Sequence, residues 1–300
     1  ENCGNGLDDD CDGATDCLDT NCVAFPLCVG CSACMGATNV VSPGGRYDVV
    51  LGPHVQTGSC GGTGSEAYLS FTLVAASDVF IATHGSGLDT KLYVRSCTCS
   101  GTEVDCNDDA DGLTSSRLTL TNLAAGTYNV IVDTNAAMSA TVSVDVYVSS
   151  PGVASDRCGN PTFIPAGAAM LSGDSCTYAS DYDMVTDTVG CQYPGGGDGP
   201  DRVFYFYLPT ARTVAFNGCN GATTYDSTVF IRSVCSDGVA AANQLACNDD
   251  GCGGGPSCTA RYRSAQSDIM LGPGLYYLFV DGYGSMTCPC GAYGFTLTGF

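Results

Sequence analysis

Three short stretches of this chain occur twice, in the same order, and that repeat constrains the fold more than any other feature. The first copy holds Leu88-Asp89-Thr90-Lys91-Leu92-Tyr93-Val94, then Cys106-Asn107-Asp108-Asp109, then Gly126-Thr127-Tyr128-Asn129-Val130-Ile131-Val132-Asp133. The second holds Tyr225-Asp226-Ser227-Thr228-Val229-Phe230-Ile231, Cys247-Asn248-Asp249-Asp250 and Gly274-Leu275-Tyr276-Tyr277-Leu278-Phe279-Val280-Asp281. The offset grows from 137 residues at Asp89/Asp226 to 141 at Cys106/Cys247 and 148 at Asp133/Asp281. Growth between the stretches rather than within them puts the insertions in connections, where a shared scaffold tolerates them. The chain therefore reads as two copies of one domain.

Within each copy, short apolar runs alternate with turn residues, the pattern of strands with one buried face. In the first copy, strands are expected at Tyr47–Leu51, Ala67–Val74, Val79–Thr83, Lys91–Arg95, Arg117–Thr121, Tyr128–Asp133 and Thr141–Val148. Val142, Val144, Val146 and Val148 share one face there. In the second copy, Val203–Leu208, Thr213–Phe216, Thr228–Arg232, Asp268–Leu271, Leu275–Asp281 and Tyr293–Phe300 repeat the plan. Forty glycines and little helical periodicity agree with an all-β fold. The expected class is two tandem antiparallel β-sandwiches of jelly-roll-like type, at 35–149 and 158–300, joined by a linker at 150–157.

The balance of 31 acids against 10 bases argues against nucleic acid and against an anionic membrane surface, because phosphate binding needs clustered Lys and Arg. Twenty-one cysteines point to an oxidising compartment. No apolar run approaches the length of a membrane-spanning helix. The sequence starts at Glu1 without a basic-then-apolar leader, so a mature product is expected, extracellular or on a cell surface.

Residues 1–34 form a separate cysteine-dense module. Asp8, Asp10, Asp12, Asp16 and Asp19 occupy positions 1, 3, 5, 9 and 12 of a loop, Gly13 sits at position 6, and the Ala14 carbonyl falls at position 7. That is the oxygen pattern of a calcium loop, with Asp19 in place of the usual bidentate Glu. The competing reading is a solvated acidic turn held by disulfides. Cys28-Val29-Gly30-Cys31-Ser32-Ala33-Cys34 has iron–sulfur spacing but lacks the fourth cysteine, and disulfides fit it better.

Cys3-Gly4-Asn5-Gly6-Leu7-Asp8-Asp9-Asp10-Cys11-Asp12-Gly13 resembles the Cys/Asp-rich metal-binding repeat of bacterial surface proteins and is similar to thrombospondin type 3 calcium repeats. The three repeated stretches together resemble the bacterial pre-peptidase C-terminal domain. That resemblance implies β-sandwich modules that accompany secreted peptidases and surface proteins, several of them linked to calcium, adhesion or substrate targeting. Within these 300 residues no peptidase is read beside them.

Two further metal sites are candidates: Asp89 with Asn107, Asp108 and Asp109, and Asp226 with Asn248, Asp249 and Asp250. A strand-end Asp beside three oxygen donors could approach six ligands with water and carbonyls. The local alternative is that Asn and Asp side chains cap their own turns. Among the cysteines, Cys34–Cys60 and Cys158–Cys191 are plausible pairs, Cys235 and Cys247 bracket a loop, and Cys252 with Cys258 could close another. The connectivity is not fixed by spacing.

Enzyme readings fail on parts. Asp89-Thr90 and Asp226-Ser227 lack the Gly that follows an aspartic-protease Asp-Thr/Ser, since Lys91 and Thr228 stand there. Gly173-Asp174-Ser175 is followed by Cys176, and neither His54 nor His84 lies in a recognisable triad context. Trp is absent, and Glu occurs only at positions 1, 66 and 103, which weakens a glycosidase reading. The expectation is a non-enzymatic, calcium- and disulfide-stabilised structural or adhesive protein that self-associates into a homopolymer or fibre, or else binds another surface protein or polymer. The alternative is a targeting module of a secreted hydrolase.

Overall fold

The computed structural model describes residues 31–185, 191, 197–236, 241–252, 262–284 and 289–300. The expected calcium loop, with Asp8, Asp10, Asp12, Ala14, Asp16 and Asp19, lies outside the described residues. The chain divides into two compact units, Glu1–Pro151 and Gly152–Phe300.

The first unit contains β1 (Thr38–Asn39), β2 (Gly44–Val50), β3 (Ala67–Leu73), β4 (Ser77–Ala82), β5 (Thr90–Ser96), β6 (Glu103–Asn107), β7 (Arg117–Leu123), β8 (Gly126–Thr134) and β9 (Thr141–Ser149). The second contains β10 (Thr162–Phe163), β11 (Met170–Asp174), β12 (Arg202–Leu208), β13 (Arg212–Asn217), β14 (Ser227–Arg232), β15 (Gln244–Asn248), β16 (Ala265–Leu271), β17 (Gly274–Gly282) and β18 (Ala292–Thr298). In the first unit the sheets run β1-β3-β8-β5-β6 and β2-β9-β4-β7. In the second they run β10-β12-β17-β14-β15 and β11-β18-β13-β16, the same order strand for strand. All pairings are antiparallel except β1 with β3 and β10 with β12.

In each unit the two sheets share one apolar core. Leu69, Val130, Leu92 and Val94 from the five-stranded sheet meet Val79, Ile81, Val142, Val144 and Val146 from the four-stranded sheet. Phe204, Phe206, Leu278, Val280, Val229 and Ile231 meet Val214, Phe216, Phe295 and Leu297 in the second unit. Burying each such side chain stabilises by about 1.5–3 kcal/mol, which fixes strand register because a one-residue slip would expose the whole set. The alternation read along β9 holds at Val142, Val144 and Val146, whereas Val148 is only half-buried.

The repeated stretches mark repeated contacts. Tyr128 donates its hydroxyl to the Ala124 carbonyl and Tyr276 to the Gly272 carbonyl, each at 2.9 Å and four residues upstream. Both rings stack in the core, Tyr128 on Phe71 at 5.4 Å and Tyr276 on Phe206 at 5.5 Å. The Thr90 and Ser227 hydroxyls accept the amides of Ser116 and Ser264 at 3.2 and 3.0 Å. The conserved order of the two copies is thus an order of loop fasteners.

Two expectations are corrected, and five strands were not expected. The short polar strands β1, β6, β10, β11 and β15 carry too little apolar periodicity to be read from sequence. The strand expected at Tyr293–Phe300, which reads as a sheet edge open to another chain, is β18 and lies between β11 and β13, so it is no edge, and Phe300 is buried against Phe206 at 4.6 Å. The cysteines pair Cys31–Cys97, Cys34–Cys99, Cys60–Cys106, Cys158–Cys235, Cys176–Cys290, Cys191–Cys247 and Cys219–Cys252. Cys34 and Cys60 do not bond each other, nor do Cys158 and Cys191, because the strand order carries Cys99, Cys106, Cys235 and Cys247 to them. Every described cysteine is in one of these seven bonds, the cysteine chemistry of an oxidising, extracytoplasmic compartment. Among the described residues no helix is long and apolar enough to cross a membrane.

Candidate metal centres

The Cys-Asn-Asp-Asp loops follow β6 and β15. In the first, carboxylate oxygens of Asp89, Asp108 and Asp109 lie within 4.8 Å of one another. Lys91 forms an ion pair with Asp108. The Asn107 side-chain oxygen accepts the Arg117 amide at 3.0 Å, and its NH2 donates to the Asp109 carbonyl at 3.2 Å. In the second loop Asn248 accepts the Ala265 amide at 2.9 Å in the same way. Both asparagines therefore close turns. Asp226, Asp249 and Asp250 do not draw as close together as the first trio, and Thr228 stands where Lys91 stands. Burial first, then Asp250 and Asp249, push the Asp226 carboxyl up to about 7, while burial and then Asp250 push Asp249 up to about 6.

A second repeated arrangement was not read from the sequence. Ala67 pairs with Val132 and Arg202 with Val280. One step further along the same registers, Glu66 faces Asp133 and Asp201 faces Asp281. All four side chains are essentially buried, on the face of the five-stranded sheet opposite the core. One oxygen of each is held by backbone. Glu66 Oε1 accepts the consecutive amides of Val55 and Gln56, the latter at 2.7 Å. Asp201 Oδ2 accepts the consecutive amides of Asp181 and Tyr182 at 2.7 and 3.1 Å. Asp133 and Asp281 each accept the next residue's amide, Thr134 at 2.6 Å and Gly282 at 2.5 Å. The other oxygen of each carboxylate has no hydrogen-bond partner.

Loop residues lie against each pair, Val55 and Gln56 at Glu66 and Asp181 and Tyr182 at Asp201, and each pair has a disulfide nearby. Cys60–Cys106 ties the first loop to β6, and Cys191–Cys247 ties the second segment to β15. Tyr182, whose amide bonds Asp201, packs on Phe279 at 5.3 Å. The backbone comes so close that a Cβ at Gly62 (φ 100°) would collide with Asp133 Oδ2, and one at Gly197 (φ 91°) would lie 2.8 Å from Asp281 Oδ2. Burial pushes the Glu66, Asp133 and Asp281 carboxyls up, and it is the leading cause that raises Asp201 to about 8.

The first pair has an imidazole beside it. His54 Nδ1 lies 3.6 Å from Glu66 Oε1 and 4.0 Å from Asp133 Oδ2, and these three side chains offer ligand atoms within 4.8 Å of one another. A groove of about 570 Å³, lined by Met35, Val50, Val55, Glu66 and Tyr68 among others, opens beside them. His84, the other histidine, is buried between Asp111 (Nε2 to Oδ2, 2.8 Å) and Ser115 (Nδ1 to Oγ, 2.9 Å). These are the residue types of a hydrolase triad, but the ring is reversed relative to one and fully enclosed. The contact pins the loop that carries Asp111 and Ser115.

The signal that could have revealed the carboxylate pairs was present. Asp133 and Asp281 end a repeated stretch, Glu66 immediately precedes the strand that begins at Ala67, and Asp201 immediately precedes the one that begins at Arg202, after Cys60 and Cys191.

No protein-family model matches the chain, and no curated protein matches it. Among solved structures, a protein from Eubacterium rectale described as secreted aligns at 10% identity over 78% of this chain and 70% of its own, with a TM-score of 0.22. The CUB1-EGF-CUB2 domains of rat MASP-1 align at 9% identity over 87% and 99%, TM-score 0.22. Dimeric latent PorU from Porphyromonas gingivalis aligns at 10% identity over 88% and 21%, TM-score 0.17. Alignments at such TM-scores superpose too little of the chain to transfer a fold or an activity.

Proposed function

We propose that this chain is a non-enzymatic extracellular structural or adhesive protein, built from two jelly-roll-like modules of pre-peptidase C-terminal type and stabilised by calcium and disulfides. The observation that carries this reading is the strapping of both copies: disulfides tie the covering loop of each five-stranded sheet to its outer strand, at Cys60–Cys106 and Cys191–Cys247. Such bonds constrain the unfolded chain and suit a protein that must last outside the cell. The calcium loop at Asp8 to Asp19 and the acidic loop at Asp89, Asp108 and Asp109 belong to this reading as cation sites.

Self-association then runs through an edge strand other than β18. β16 is an edge of its sheet and exposes Met270, and unpaired edge groups invite another chain. Light scattering and electron microscopy of the whole purified chain, with calcium and with chelator, test it. Filaments or oligomers that need calcium support it, and a strict monomer at high concentration sinks it.

A second reading, a polymer-targeting module, is favoured by the groove beside Tyr68 and Val55. A monomer that sediments with an insoluble polysaccharide or collagen, and loses this on Tyr68→Ala, selects it.

A further inference from the structure

The two copies differ in charge at one position of one row. In the first sandwich the row across β3, β8 and β5 reads Glu66, Asp133, Lys91, since Lys91 is the register partner of Asp133. In the second the row across β12, β17 and β14 reads Asp201, Asp281, Thr228, since Thr228 is the register partner of Asp281. Positions directly opposite on neighbouring strands point to one face, and like charges so placed repel.

The first row has cations to meet its carboxylates. Lys91 is buried in the row, and His54 approaches both acids. Its ammonium also reaches Asp108, so it links the row to the acidic loop.

The second row has none. Among the described residues, no Lys, Arg or His forms an ion pair with Asp201 or Asp281. The neighbouring Arg202 turns its guanidinium onto the Tyr178 ring at 4.3 Å. The charges that act on Asp281 are further carboxylates, Asp201, Asp183 and Asp198. Three oxygens of this row are buried without a hydrogen-bond partner: Asp201 Oδ1, Asp281 Oδ2 and Thr228 Oγ1. The residues that bear them are each essentially inaccessible. Buried charges and buried unpaired polar atoms both cost free energy, and here they converge.

We infer that Asp201, Asp281 and Thr228 hold a divalent cation of the oxygen-preferring class, calcium first, and that Lys91 takes the ion's place in the first sandwich. All three donors are hard oxygens, the set that calcium and magnesium select and that zinc does not need. Backbone amides hold the second oxygen of each carboxylate, so the free oxygens are oriented before an ion arrives. A shared proton would satisfy one contact between the two acids and leave the third oxygen unpaired. A cation satisfies all three and also offsets the surrounding aspartates. The assignment stands apart from the assembly reading above, because ion stoichiometry is measured separately from oligomer size.

The test uses the whole chain, stripped with chelator and titrated with calcium by calorimetry, with bound ions counted after dialysis. Asp201→Asn and Thr228→Lys should each bind one calcium fewer per chain than the unmodified protein, while Asp10→Ala, in the N-terminal loop, should leave this ion in place. Thr228→Lys supplies the missing cation, so its melting temperature should stay the same in calcium and in chelator except for what the N-terminal loop and the Asp89 loop contribute, read from Asp10→Ala/Asp89→Ala/Thr228→Lys. Should the buried lysine prevent folding, Thr228→Val decides: loss of one oxygen of nearly equal volume should weaken this calcium about tenfold, the scale on which ligand count tunes such sites. Unchanged calcium stoichiometry in Asp201→Asn, or unchanged affinity in Thr228→Val, overturns the assignment. A row that instead carries a shared proton would show no calcium loss in any of the Asp201 and Thr228 variants.

Discussion

Asp201 and Asp281 face each other across neighbouring strands, one register step beyond the Arg202–Val280 pair, and each has an oxygen without a partner. Glu66 and Asp133 repeat the relationship beside Ala67 and Val132. The two copies share this frame and differ in what stands next to it, which makes several outcomes measurable.

Replacing a core tyrosine tests the fasteners. Tyr128→Phe and Tyr276→Phe each keep the ring stacked on Phe71 or Phe206 but remove a hydroxyl that bonds a carbonyl four residues upstream. Each should cost about 1 kcal/mol, the net value of a typical hydrogen bond. Denaturant unfolding curves with unchanged slope and a lower midpoint would agree; a loss of nil in both would remove the explanation of the Gly-X-Tyr repeat.

Removing a strap should loosen its loop. Cys191 and Cys247 are 56 residues apart in sequence. The double substitution to Ser should destabilise by about 2–4 kcal/mol, chiefly by freeing the unfolded chain. Hydrogen exchange should rise first at Asp181 and Tyr182, whose amides bond Asp201.

The first carboxylate pair makes stability depend on pH. Burial raises Glu66 from its ordinary 4.5 and Asp133 from 3.8. The folded chain therefore holds these protons at a pH where the unfolded chain has released them, and stability falls as pH rises from the ordinary carboxyl range toward the raised values. Glu66→Gln removes one of the two titrations. Its melting temperature, followed across that window in chelator, should fall less steeply than that of the unmodified chain; parallel curves would contradict the assignment.

Calcium at the N-terminal loop is a separate outcome. At free calcium a hundredfold above the dissociation constant, a site stabilises the fold by about 2.7 kcal/mol. Asp10→Ala should abolish that gain and one equivalent of uptake in calorimetry. Uptake equal to that of the unmodified chain would exclude Asp8, Asp10, Asp12, Asp16 and Asp19 as ligands.

How much of this was legible depends on whether the signal was local. The thirteen expected strands all fall on observed ones because Val142, Val144 and Val146, or Phe204 and Phe206, bury one face at period two. The Asp-Thr/Ser, Cys-Asn-Asp-Asp and Gly-X-Tyr stretches were visible as repeats, and their positions in the two units correspond. Their roles were less visible. Asn107 and Asn248 read as possible ligands, yet their oxygens accept the Arg117 and Ala265 amides at the starts of β7 and β16 and close the loops between.

By itself the sequence determined the thirteen apolar strands, the duplication and the oxidising character of the compartment, because periodicity, order and cysteine content are properties of the chain. Only the tertiary structure decided which cysteines bond, that β18 is interior, and that Glu66 meets Asp133 and Asp201 meets Asp281. Those outcomes join residues that antiparallel pairing brings together across long sequence separations. A lone acid before a strand has no meaning until the register sets another acid opposite it, in a place that water does not reach.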